Sequence, residues 1–174
     1  MLDRLVELVI QFVDLFFFTR VVDQWERGIV LRFGKLARKV KPGLRFVAPF
    51  GIERLLLESV YARPAVLESQ SLTTADGVSV VITPIVLFQV RDAAKLLLKS
   101  GGQEEAVVDA VAGVVTAHVT GAKWADLTTD EFRATVVADA AANARVWGID
   151  IRNITWKDLV QTPTYRLIQE TNHK

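Results

Sequence analysis

The stretch LVELVIQFVDLFFF, Leu5 to Phe18, constrains this chain more than any other. It is too apolar to stand free in water. On a helix turning about 100° per residue, Asp3, Arg4, Glu7, Gln11 and Asp14 gather within about 100° of the circumference. Leu2, Leu5, Val6, Leu8, Val9, Ile10, Phe12, Val13, Leu15, Phe16 and Phe17 fill the other roughly 260°, and Phe18, at the end of the stretch, falls inside the polar arc. So wide an apolar arc with one narrow wet stripe is not the pattern of an ordinary core helix. The stretch rises only about 21 Å, against a hydrocarbon core of about 30 Å. Extension to Met1 and Thr19 reaches about 28 Å but takes in the acids, each costing about 2.5–3.5 kcal/mol near the bilayer centre. A lone spanning helix is therefore disfavoured.

Three placements remain. The helix lies in the interface, or it enters the bilayer beside copies of itself that shield Glu7, Gln11 and Asp14, or it folds onto the protein's own core. The first two make residues 1–20 a membrane anchor, and the width of the apolar arc favours them over the third. The acidic stripe counts against the plain interfacial placement, since such helices usually offer Lys and Arg to anionic headgroups. A secretory signal fits poorly, because MLDR carries no net charge and no small-residue cleavage site comes after Phe18. Arg4 and Arg20 flank the stretch almost evenly, so neither side of the membrane is favoured for the domain beyond Arg20.

The rest of the 174 residues suffices for one domain. A net charge of +1 supplies no field for nucleic acid, and no such partner is expected. The absence of cysteine excludes thiol chemistry, and the two histidines, His118 and His173, are too few for a His-based metal cage. No metal and no cofactor is expected. Short β segments are predicted at Ile29 to Phe33 and Leu44 to Val47, joined through a basic hairpin with a Pro42-Gly43 turn. IERLLLESVYARPAVLES adds a strand or two, broken at Pro64. Asp76-Gly77 marks the clearest hairpin, leading into a Val/Ile/Phe run to Val90 in which Pro84 signals an edge or a bulge. Helices are predicted at Ala93 to Lys99, within QEEAVVDAVAGVVTAHVTG, and from a Thr128-x-x-Glu131 capping box to Gly148. A strand from Ile149 to Trp156 then returns to the sheet. This order indicates an α+β domain over residues 21–160: a small, mostly antiparallel sheet packed with two or three helices.

Four blocks, ERGIVLRFGK, KPGLRFVAPF, LTTADGVSVVITPIVLFQVRDAAKLL and WGIDIRNITWKDL, resemble in order and spacing those of the SPFH superfamily. These are the stomatins, prohibitins, flotillins and the bacterial relatives that flank membrane proteases. The resemblance implies a tethered α+β domain that self-associates into rings or cages, with no chemistry of its own. The expected function is thus an oligomeric scaffold at a membrane, such as a bacterial or host cell inner membrane, organising a patch of lipid. Its expected partners are the lipid, further copies of itself, and a membrane AAA protease or other SPFH proteins. The alternative is a discrete regulatory adaptor of a membrane protease that forms no large ring. Family members commonly continue into a long coiled coil. Here Pro163 comes after the closing strand and only TYRLIQETNHK remains, so residues 161–174 are expected to form a short helical tail and the assembly a low ring without a tall dome.

Individual residues admit competing readings. Arg32, Lys35, Arg38, Lys39 and Lys41 in the basic hairpin can touch anionic headgroups, or can simply keep an edge strand from pairing. GIVLRFGK has five residues between its glycines where a phosphate-binding loop has four, and Leu36 replaces the required Ser or Thr, so it supports no nucleotide role. His118 falls on the helix face of Val107, Val111 and Val114, the position of a packed or subunit-interface residue rather than a base. Ala138 and Ala142 belong to a run of small residues that suits close subunit packing, although helix propensity explains alanine equally well. No hydrolase motif occurs and no catalytic residue is assigned.

Overall fold

A computed structural model of the chain describes Arg4, Glu7 and residues 19–100 and 105–162. Arg4 and Glu7 are helical and exposed. The other residues of the expected anchor, from Leu5 to Phe18 and including Gln11 and Asp14, lie outside the described residues, as does the tail from Pro163 to Lys174. Among the described residues no helix is long and apolar enough to cross a membrane.

Among the described residues nine strands form three antiparallel sheets. Strand β1 (Thr19–Val22) pairs with β4 (Gly43–Phe46), and β2 (Glu26–Arg32) lies between β3 (Lys35–Val40) and β5 (Glu53–Ser59). The largest sheet is built on β8 (Ser79–Val90). Strand β9 (Ile149–Gln161) runs along one edge of it from Val80 to Val90, while β7 (Gln70–Thr73) and β6 (Arg63–Val66) share the other. Helices α1 (Ala93–Ser100), α2 (Glu105–Gly121) and α3 (Asp130–Ala144) complete an α+β domain.

The predicted basic hairpin is wired differently. Strand β2 turns directly into β3 through Phe33-Gly34, and β4 crosses to β1. The break in the next segment falls at Val60 to Ala62 instead of Pro64, which sits inside β6, and β9 runs beyond the predicted Trp156, and past residue 160, to Gln161. Pro84 does mark an irregularity: the β8–β9 register shifts between Thr83 and Pro84. That position is also the seam where β7 ends its pairing with β8 and β6 begins, so the missing N–H of proline is not called on. The Asp76-Gly77 turn stands where predicted, with Gly77 at φ 80°.

The main core lies between the large sheet and the helices. Val111, Val115 and Val119 of α2 and Val136, Ala140 and Ala144 of α3 bury against Val86, Phe88, Ile151 and Ile154. Each large apolar side chain so buried contributes roughly 1.5–3 kcal/mol. Helix α3 is capped one residue after the predicted Thr128, by Thr129, whose hydroxyl accepts the Phe132 N–H at 3.2 Å. Thr128 itself closes a 3-10 turn, Trp124–Thr128. Gly148 ends the helical stretch at φ 81°. A smaller core of Val22, Val30 and Val40, flanked by Leu55 and Leu57, joins the two small sheets. Gly113, exposed in the middle of α2, has open space where a Cβ would stand. Gly113→Ala is therefore expected to stabilise the domain by about 0.5–1 kcal/mol, read as a raised thermal midpoint.

Candidate membrane-facing site

Two Phe-Gly dipeptides form one end of the small sheets. Phe33 and Phe50 both hold left-handed backbone, φ 48° and 59°, each followed by a glycine of positive φ. Tight β-turns ordinarily give that first position to Asn or Asp, because a bulky side chain there is strained by about 1–3 kcal/mol. Both rings nevertheless stand in solvent, 75% and 72% exposed. The two turns are tied together by the Phe33 N–H, which donates to the Ile52 carbonyl at 3.0 Å. Leu36, Leu44 and Phe46 add exposed apolar surface on β3 and β4.

The same end is organised by a buried acid. Glu53 opens β5 directly opposite Arg32, and its side chain is 3% exposed. Arg38 grips both carboxylate oxygens at 2.8 and 3.0 Å. The Ala48 N–H donates at 3.1 Å, and Arg32 adds bonds of 2.8 and 3.1 Å. The Arg38 hydrogen bonds foremost, then that of Ala48, outweigh burial and hold the Glu53 carboxyl at about 2. Arg38 also donates to the Phe46 carbonyl at 2.6 Å, and Phe46 faces Thr19 across β1–β4. This chain of contacts places Phe33, Glu53, Phe46 and the start of β1 at one end, where the expected anchor joins the domain.

The five hairpin cations thus divide. Arg32 and Arg38 turn onto Glu53, Lys39 meets Asp92, which precedes α1, at 3.3 Å, and Lys35 and Lys41 are exposed with no ion pair among the described residues. His118 lies within the chain's own helix pair: its Nε2 is 2.8 Å from Asp139 of α3, and its ring meets the Phe132 ring edge-on. Ala138 and Ala142 are exposed on α3. Among the described residues no group of His, Asp and Glu is placed to hold a metal ion. Gly28 is no phosphate-loop glycine, since its open side is filled by the Leu56 carbonyl of β5. Sequence reasoning missed Glu53, Phe33 and Phe50. The repeated Phe-Gly dipeptide is a usable signal for the two aromatics; nothing local marks Glu53.

Similarity to other proteins agrees with this architecture. The profile of the SPFH domain / Band 7 family matches residues 20–172. An uncharacterized protein of Archaeoglobus fulgidus is 24% identical over 144 residues, 80% of this chain and 57% of that protein. An uncharacterized protein of Methanocaldococcus jannaschii is 27% identical over 89 residues, 51% of this chain and 44% of that protein. The chain therefore spans about half the length of these relatives. With three antiparallel sheets and the helices α1 to α3 among the described residues, and a profile match over nearly its whole length, the chain belongs to the SPFH domain / Band 7 family.

Proposed function

We propose that the chain is a membrane-anchored scaffold subunit. The opening apolar segment tethers it, the Phe33–Phe50 end rests on the bilayer surface, and copies associate into rings that organise a membrane patch. A membrane AAA protease or other family members are the partner class this reading allows. The carrying observation is the pair of exposed aromatics held in strained turns at the end where β1 begins. A turn optimised for water would hold Asn there, whereas a surface pressed on lipid has use for Phe.

Flotation on liposomes tests the reading. The full chain is expected to remain with membranes through high-salt and alkaline washes, and removal of residues 1–18 to release most of it. Residual binding of that shortened protein should fall at least tenfold in the Phe33→Asn/Phe50→Asn double variant, while its thermal stability holds or rises as strain is relieved. Vesicle binding unchanged by both alterations would refute the membrane-facing assignment. Particle mass in mild detergent separates ring from adaptor: hundreds of kilodaltons for the ring, one or two chains bound to a protease for the adaptor.

A further inference from the structure

A cleft of about 520 Å³ opens where Arg27 of β2 meets the ends of β8 and β9. It is lined by three arginines, Arg27, Arg91 and Arg152, and by a single carboxylate, Asp150. Asp150 is taken by Arg152, 3.4 Å away. Arg152 also donates to the Gln89 Oε1 at 2.8 Å, and the Gln89 amide donates in turn to the Val60 carbonyl at 2.9 Å. Both side chains are thereby fixed at the wall of the cleft.

Among the described residues the other two guanidiniums have no acid partner. Arg27 is half-buried and, among the described residues, donates only to backbone carbonyls, those of Gln24 at 3.0 Å and Glu26 at 2.8 Å. Its cross-strand neighbour Glu58 is bonded to Arg63 at 3.1 Å. Arg91 is exposed and, among the described residues, its side chain makes no hydrogen bond or ion pair, although its backbone N–H is pinned to the Gly148 carbonyl at 2.9 Å. Arg91 also borders a second hollow with Lys95 and Arg145, where the acids are Asp150 and Asp92, the latter paired with Lys39 at 3.3 Å. Arg27 is half-buried while Arg91 and Arg152 are exposed, so the three present their charge to a ligand entering from solvent. A chain whose net charge is only +1 has gathered three cations here for one available acid.

We propose that this cleft binds the phosphate group of a small molecule. Its volume lies within the roughly 300–1,000 Å³ of small-ligand sites. Guanidinium forks match phosphate oxygens, and a phosphate monoester offers three of them with about −1.5 to −2 of charge at neutral pH, whereas one fork already satisfies a carboxylate. Arg27 and Arg91 supply the uncompensated charge, and Arg152, oriented by Gln89, is the third donor. The shared chemistry is a phosphate, whether free or on a lipid headgroup. Arg27 stands about 17 Å along β2 from Arg32 and the Phe33 turn, which favours a free phosphate ester. The site is independent of whether the chain forms rings.

Calorimetric titration of the full chain in non-ionic detergent tests this, with inorganic pyrophosphate in one arm and a short-chain phosphatidic acid in the other. Saturable, salt-sensitive binding is expected, weakened roughly ten- to hundredfold by Arg91→Gln and less by Arg91→Lys, which keeps the charge but loses the fork. Arg133→Gln, a remote arginine paired with Asp130 in α3, should bind like the parent. Pyrophosphate binding assigns the site to a free phosphate, and binding of the phosphatidic acid alone assigns the same chemistry to a headgroup. No saturable binding of either, uptake of polyglutamate only, or parental affinity in Arg91→Gln would overturn the proposal. If Arg27→Gln fails to fold, Arg91→Gln and Arg152→Gln carry the test, with thermal midpoints confirming that they fold.

Discussion

Gly28→Ala is expected to break the join between β2 and β5, at a cost of about 3 kcal/mol or more. A Cβ at this position lands on the Leu56 carbonyl oxygen and comes within 2.8 Å of the Leu57 side chain. A flexible side-chain tip can yield, but a backbone carbonyl committed to a strand cannot move without disturbing its ladder. Overpacking alone typically costs about 1–3 kcal/mol. Here the loss extends further, because β2 is the central strand of its sheet and carries Val30 of the smaller core. Chemical denaturation should show the drop, and hydrogen exchange should localise it to the amides of Leu55 to Leu57. An unchanged midpoint in Gly28→Ala would mean that the two strands do not approach this closely.

The second large effect lies in acid. With its carboxyl held at about 2, against an ordinary value of 4.5, Glu53 stays ionised in the folded protein well after it protonates in the unfolded chain. A depressed folded value gives stability that is complete above about 4.5 and is lost as pH falls toward 2. The loss should be roughly 2 kcal/mol, below the full linkage value because Arg32 and Arg38 keep much of their surface in water. Denaturant midpoints measured from pH 6 to pH 2 should fall for the parent. In Glu53→Gln the stability at pH 6 should already be lower by a similar amount and the slope correspondingly flatter. Parallel parent and variant curves across this range would show that Glu53 is not the responsible group.

Local chemistry makes part of this fold legible in the sequence. Asp76-Gly77 announces its turn because a short polar residue and glycine accept the backbone the turn requires, and Gly148 ends its helix for the same reason. Pro84 advertises its irregularity because it lacks a donor wherever it is placed. Features set by distant residues stay hidden. The turn at Phe33-Gly34 is silent in sequence because phenylalanine is not a turn former, and Pro42-Gly43 suggests the close of a hairpin whose second strand in fact pairs with β1. The helix cap falls one residue later than its motif indicates because a 3-10 turn uses Thr128. Glu53 reads in sequence as one more polar strand residue. Its burial depends on arginines 15 and 21 positions away, a proximity that only the folded sheets create.

The β8–β9 ladder has a mechanical consequence. Thr162 donates its N–H to the Ser79 carbonyl at 2.8 Å, so β9 finishes beside the start of β8. The small sheets adjoin the other end of β8, where Gln89 bonds to Val60 and Lys39 to Asp92. The two points are about 35 Å apart along the strand. Tension between the bilayer and anything attached beyond Thr162 would run lengthwise down β9. In that direction the hydrogen bonds from Val80 to Val90 are loaded together in shear instead of opening one after another. On the proposed anchoring the domain would act as a stiff strut, and under traction the short β1–β4 pairing, only four residues long, would yield first.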